Sequence, residues 1–135
     1  SKGSMSTPIK VLVVDDSAII RRIIVNTLQG MDFEEILEAT DGESAIALLK
    51  PGLDLVITDY AMPGMTGAQL AEAIEERLPG LPVIIITGFA ELPPHMTARP
   101  RLNKPFKQAE LARIVISAAQ GSQRIVRLAA HSDDL

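Results

Sequence analysis

The sequence predicts an α/β domain: a doubly wound parallel sheet of about five strands with helices on both faces. Three observations carry this. Short, nearly continuous apolar runs recur at 9–14, 53–58 and 82–86, which suits strands buried on both sides. Between them lie segments with apolar residues every three or four positions, the period of an amphipathic helix. Turn-forming residues separate the two kinds of segment. Strand and helix therefore alternate, as in right-handed crossovers onto a parallel sheet.

Residues 9–14 read as the first strand, interrupted only by Lys10. Asp15, Asp16 and Ser17 break it. A helix follows with Ile20, Ile23, Ile24 and Leu28 on one face, stopped at Gly30. Residues 35–39 read as the second strand, and Thr40-Asp41-Gly42 as a turn and cap. Ala45, Leu48 and Leu49 then continue as a helix ended by Pro51-Gly52. The third strand, 53–58, ends at Asp59. After the Met62-Pro63-Gly64 loop, Leu70, Ile74 and Leu78 recur every four residues in a helix closed by Pro79-Gly80. Residues 82–86 are the clearest buried strand, ended by Thr87. The next segment holds Pro93, Pro94 and Pro100. A proline inside a helix costs about 3 kcal/mol, so the fourth helix, between the fourth and fifth strands, is expected to be short, irregular or absent. A weak fifth strand surrounds Arg101 and Leu102. Lys104-Pro105-Phe106 follows, and a last helix presents Leu111, Ile114, Val115 and Ala118.

The 135 residues suit one domain. Hydrophobic residues make up 47% and aromatics only 3%, so the core must be mostly aliphatic. A formal net charge of -4 repels phosphate backbones and argues against nucleic acid as a partner. The absence of cysteine excludes disulfides and thiolate chemistry and fits a reducing cytoplasm. No apolar run approaches the roughly 18 residues of a membrane span, so no membrane insertion is expected. Ser1-Lys2-Gly3-Ser4 reads as a cloning remnant before a start near Met5. Residues 1–5 are therefore set apart from a domain over 6–121. Residues 122–135, with Ile125, Val126 and Leu128 among Arg124 and Arg127, read as a tail or an extension of the last helix.

Ligands of doubly wound sheets bind just beyond the carboxyl ends of the strands. The residues at those ends are Asp15, Asp16, Asp59, Thr87 and Lys104. Each has an ordinary explanation alone: an acidic helix cap, a turn aspartate, a β-branched strand residue, a loop lysine. Together they read differently. Three carboxylates meeting in one crevice repel one another unless a cation binds there. Mg²⁺ suits such a site, because it takes one or two carboxylates, waters and a phosphate. With no cysteine, and with His95 and His131 away from the strand ends, zinc and copper do not. A lysine and a hydroxyl at the same rim complete a phosphoryl site. A carboxylate can attack phosphorus, which assigns Asp59 as acceptor and the acidic pair as metal holders.

These motifs resemble the receiver domain of two-component response regulators. The resemblance is carried in order by residues 13–17, by residues 38–45, by residues 54–67, by Thr87 and by Lys104-Pro105-Phe106, and it covers about residues 9 to 120. It implies a flavodoxin-like (βα)5 fold with strand order 2-1-3-4-5. It implies that Asp16, Asp59 and the backbone carbonyl of Ala61 ligate Mg²⁺, with Asp15 acting through a bound water. Lys104 would pair first with Asp59 and then with the phosphoryl group, and Thr87 would bond a phosphoryl oxygen. The N–H groups of Tyr60, Ala61 and Gly88 would hold the remaining oxygens. The implied donor is a phosphohistidine on a histidine kinase or histidine phosphotransfer protein, and the implied output is a conformational switch read by a downstream protein partner. A phosphorylation-dependent dimer is left open.

The chain departs from the family pattern in three places. Arg101 stands where many members carry an aromatic that turns inward on activation. The stretch from 88 to 103 is 16 residues long, fewer than in most members. Pro82, Thr87, Gly88 and Phe89 partly match a subgroup with a Thr-Gly-aromatic signature, which includes single-domain receivers and receivers associated with hybrid kinases. Ala61 and Phe89, two residues after Asp59 and Thr87, flank the path of the hydrolytic water in the family, and slow self-dephosphorylation is expected. The chain is thus expected to be a signalling phosphoacceptor rather than an enzyme. The alternatives are a degenerate receiver that binds partners without phosphate, and an aspartyl-phosphate phosphatase on a related fold.

Overall fold

The computed structural model describes residues 9–33, 35–87 and 101–118. β1 (Lys10–Val14), β2 (Glu35–Ala39), β3 (Leu55–Asp59), β4 (Val83–Thr87) and β5 (Arg101–Asn103) form one parallel sheet in the order β2-β1-β3-β4-β5. The helices described are α1 (Ala18–Gly30), α2 (Gly42–Ala47), α3 (Gly67–Arg77) and α4 (Gln108–Ala118). The strand order is the one the resemblance implied. The segment expected to hold the short or irregular helix, residues 88–100, lies outside the described residues, as do residues 1–5 and 122–135.

The period of two along each strand sorts the core into two layers. Val11, Val13, Leu55, Ile57, Ile84 and Ile86 face α1 and α4, where Ile24, Leu28, Leu111 and Val115 meet them. Leu12, Val14, Val56, Val83 and Ile85 face α2 and α3, where Ala45, Leu70, Ala71 and Ile74 meet them. Every residue of β3 and β4 is buried, which is why those runs are apolar almost without a break. Burying one such Ile or Leu contributes about 1.5–3 kcal/mol. This double layer makes the strand ends a rigid platform.

Local chemistry sets the helix starts. The Ser17 side chain accepts from the Ile20 N–H at 3.2 Å and caps α1. Reciprocal capping boxes start α2 with Asp41 and Ser44, and α3 with Thr66 and Gln69. The hydrogen bonds to Asp41, from the Ser44 backbone first and its hydroxyl second, hold that carboxyl below the usual aspartate range.

Helix α2 ends at Ala47, short of Leu48 and Leu49, which the sequence reading includes. Helix α1 ends at Gly30 as expected, and the left-handed turn falls beyond it on Asp32, with φ 71°. Phe33, buried in the core, donates its N–H to the Leu28 carbonyl at 3.1 Å, so the apolar anchor beyond the helix decides where the chain reverses. Strand β3 starts at Leu55 rather than Leu53. Asp54 stands just before it, its carboxylate accepting the Lys10 N–H at 2.9 Å and its own N–H donating to the Lys10 carbonyl at 2.9 Å.

Candidate functional site

The carboxyl ends of β1, β3 and β4 converge with the residue that follows β5. One oxygen from each of Asp15, Asp16 and Asp59 lies within 4.8 Å of the others. Asp15 and Asp59 are buried and Asp16 is exposed. Lys104 Nζ lies 2.9 Å from Asp59 Oδ1 and 4.0 Å from Asp15 Oδ2. Thr87, 2% exposed, is the last residue of β4. Its carbonyl accepts the Lys104 N–H at 2.8 Å, so the threonine's backbone sets the lysine's position. Across a cis peptide bond Lys104 is followed by Pro105. Asp15, Asp16, Asp59 and Lys104 thus bring their side chains together at one edge of the sheet, and Thr87 stands at the same edge as the last residue of β4.

Asp15 is the most constrained of them. Its N–H donates to the Ala39 carbonyl at 3.1 Å, and its Oδ1 accepts the Ser17 N–H at 2.8 Å. Its carbonyl accepts from Arg21 Nη1 at 2.8 Å. Oδ2 is buried with no hydrogen-bond partner. Burial pushes the Asp15 carboxyl above the usual aspartate range, opposed by the Ser17 N–H and reinforced by the charge of Asp59. A buried, charge-crowded oxygen with no donor is what a divalent cation would satisfy. The donor set consists of hard oxygens, so the residues present fit Mg²⁺.

The implied amide cradle is only partly visible. The Tyr60 N–H donates to the Ile86 carbonyl at 2.8 Å and is taken up by the sheet. Ala61 is exposed at the start of the loop. Gly88 lies outside the described residues, as do Phe89, His95 and His131. Arg101 is exposed on β5, paired in register with Ile85. A shallow groove of about 370 Å³ at the opposite edge, lined in part by Lys50, Asp54, Arg77 and Pro82, is away from this chemistry.

Two residues that support the site went unnoticed in the sequence. Gly67 opens α3 and donates its N–H to the Tyr60 carbonyl at 2.7 Å. A Cβ there would collide with the Asp59 carbonyl oxygen and crowd Tyr60 Cα. Gly67, three residues after Gly64, gives no local hint of this long-range approach. Arg21, off the apolar face of α1, donates from Nη1 to the Asp15 carbonyl at 2.8 Å and from Nε to Glu38 Oε1 at 2.9 Å.

Residues 11–116 match the model of the response regulator receiver domain. The chemotaxis protein CheY of Pseudomonas aeruginosa is 45% identical over 85 residues, 61% of this chain and 68% of that protein. A response regulator receiver domain protein from Clostridium thermocellum has a similar structure, with TM-score 0.75 and 27% identity over 87% of this chain and 98% of that one. A chain in the crystal structure of the CheX-CheY-BeF3-Mg²⁺ complex from Borrelia burgdorferi is also similar, with TM-score 0.74 and 28% identity over 82% of this chain and 88% of that one. Among the described residues no helix is long and apolar enough to cross a membrane. The sheet order, the acidic edge and these likenesses agree: the chain belongs to the response regulator receiver domain family of two-component signalling.

Proposed function

We propose that the chain, over residues 6–121, is a CheY-like phosphoacceptor that takes a phosphoryl group from a phosphohistidine onto Asp59. One observation carries this reading: the ammonium of Lys104 is 2.9 Å from Asp59 Oδ1 at the point where three carboxylates gather. An Asp59 oxygen attacks phosphorus in line. The O–P bond forms as the P–N bond to the donor's imidazole breaks, and the ring nitrogen keeps the electron pair. Asp16, Asp59 and the Ala61 carbonyl would hold Mg²⁺, with Asp15 behind a water. When bound, the ion supplies positive charge against the phosphoryl oxygens.

Lys104 neutralises Asp59 before transfer and turns to the phosphoryl group after it. The Thr87 hydroxyl donates to a phosphoryl oxygen, joined by the N–H groups of Ala61 and Gly88. The Tyr60 N–H can join only by sharing or leaving its bond to Ile86. Movement of Thr87 and Lys104 toward the new charge is the switch. A histidine kinase or histidine phosphotransfer protein supplies the phosphate, and a downstream protein reads the changed surface. In this reading the protein performs its own phosphoryl transfer and no turnover of external substrate. The gathering of three carboxylates with Lys104 supports this reading over a degenerate receiver.

Intact mass spectrometry after incubation with acetyl phosphate and MgCl₂ tests the proposal. The parent is expected to gain one phosphate and Asp59→Asn none. Equal labelling of both, or no labelling of the parent by acetyl phosphate or a phosphorylated histidine kinase, would refute it.

A further inference from the structure

The proposed cation site needs Asp15 and Asp16 to be held toward Asp59 against their mutual repulsion. The turn that carries them is tied down from outside the site. Arg21, one turn into α1, reaches back with Nη1 to the Asp15 carbonyl at 2.8 Å. Its Nε is held by Glu38 Oε1 at 2.9 Å. Glu38 is on β2, in register with Val13 of β1, and its neighbour Ala39 accepts the Asp15 N–H at 3.1 Å. The arginine side chain is only 17% exposed. Asp15 is therefore fixed at N, O and Oδ1, and Oδ2 is the atom without a hydrogen-bond partner.

We infer that Arg21 is a positioning residue for divalent-cation binding, acting as a two-point clamp between Glu38 and the Asp15 carbonyl. A guanidinium suits the task because its planar fork presents N–H groups to two acceptors in fixed directions, which one ammonium cannot reproduce. Glu38 also neutralises the arginine, so the clamp adds no bare positive charge beside a cation site. This inference rests on the proposed Mg²⁺ site.

Charge and geometry predict opposite signs, which makes the inference testable. Removing Arg21 deletes a positive charge, and Coulomb attraction alone would then tighten cation binding. Loss of positioning weakens it. Isothermal titration with MgCl₂ would be run on the parent, Arg21→Ala, Arg21→Lys and Glu38→Gln. Both arginine variants are expected to bind roughly tenfold more weakly, the scale for outer ligands that orient inner ones. Glu38→Gln keeps an acceptor for Nε but leaves the guanidinium charge uncompensated, so it is expected to bind Mg²⁺ more weakly than the parent and more tightly than Arg21→Ala. Thermal melts without metal establish that folded proteins are being compared. Labelling by acetyl phosphate in Arg21→Ala should recover most of its rate at saturating Mg²⁺.

Unchanged or tighter binding by Arg21→Ala, parental binding by Arg21→Lys, or a labelling defect that persists at saturating Mg²⁺ overturns the clamp alone. A parent that takes up no Mg²⁺ overturns the proposed function, and the clamp with it.

Discussion

Lys104 Nζ is 2.9 Å from Asp59 Oδ1, and the same nitrogen is 4.0 Å from Asp15 Oδ2. One ammonium therefore faces two carboxylates from different strand ends, in a pocket where its own side chain is 27% exposed. It holds the acidic edge together when no cation does so.

Lys104→Met should reveal that role. The variant keeps most of the side chain's length and loses the charge. Without divalent ions, Asp59 is left buried with no cation beside it, and stability should fall by about 1–3 kcal/mol, less than for a fully buried pair because Lys104 is partly exposed. Added MgCl₂ should then stabilise the variant more than the parent, since the ion meets less competition. Urea denaturation with and without MgCl₂ measures both. Equal stability of the two proteins in the absence of metal would contradict the account.

Asp15→Asn probes the strain at β1. Burial raises the Asp15 carboxyl above its ordinary value of 3.8. The folded state thus holds the proton more tightly than the unfolded chain. Asp15 contributes most to stability below pH 3.8, and that contribution is lost as pH rises through the elevated folded value. At neutral pH the ionised Oδ2 is a liability. Asparagine removes it and should stabilise the metal-free protein by roughly 1 kcal/mol at pH 7, the scale of one unsatisfied buried group. The advantage should shrink as pH falls toward the point where Asp15 is protonated in the parent, and it should vanish in saturating Mg²⁺. Thermal unfolding across pH, with and without the ion, tests all three statements.

Gly67→Ala tests the seat of the β3 loop. The added methyl meets the Asp59 carbonyl and Tyr60 Cα, both backbone, so the start of α3 must move. Overpacking of this kind costs about 1–3 kcal/mol. Because the displaced backbone leads directly into Ala61, Mg²⁺ affinity should fall as well. Gly30→Ala is the control: a Cβ there meets nothing within 4 Å. Calorimetric titration and thermal melts of the two variants should separate cleanly, with only Gly67→Ala losing affinity.

The pattern of what sequence could and could not reveal follows from range. Strands buried on both faces write themselves as apolar runs, so β3 and β4 were readable to within two residues. The rule that ligands gather at the carboxyl ends of such strands then led to Asp15, Asp16, Asp59, Thr87 and Lys104. What escaped depends on how distant backbone segments meet. Arg21 and Glu38 are 17 positions apart and pair only because α1 returns beside β2. Gly67 is constrained by a carbonyl eight positions earlier, which no local turn preference reports. Helix α1 does end at Gly30, but the left-handed residue beyond it is Asp32, a position set by the buried Phe33 rather than by glycine's usual role. The Tyr60 N–H was expected in the cradle, and its bond to Ile86 depends on how β3 and β4 are matched.

The lifetime of the phosphorylated state should be set in part by Ala61. This residue is exposed at the rim of the site, two positions beyond Asp59. Its methyl group can neither donate to nor accept from the water that must attack phosphorus. Hydrolysis of the acyl phosphate then proceeds without a side chain there to orient the nucleophile. Asparagine at this position offers both a carbonyl and an amide. A single hydrogen bond worth about 1 kcal/mol in the transition state accelerates the step roughly fivefold. Ala61→Asn should therefore shorten the phosphoryl half-life by that order while leaving the extent of initial labelling intact. The decay of the phosphorylated mass peak, followed after removal of the donor, gives the answer. A variant that loses its phosphate no faster than the parent would show that water access, rather than water orientation, limits the reaction.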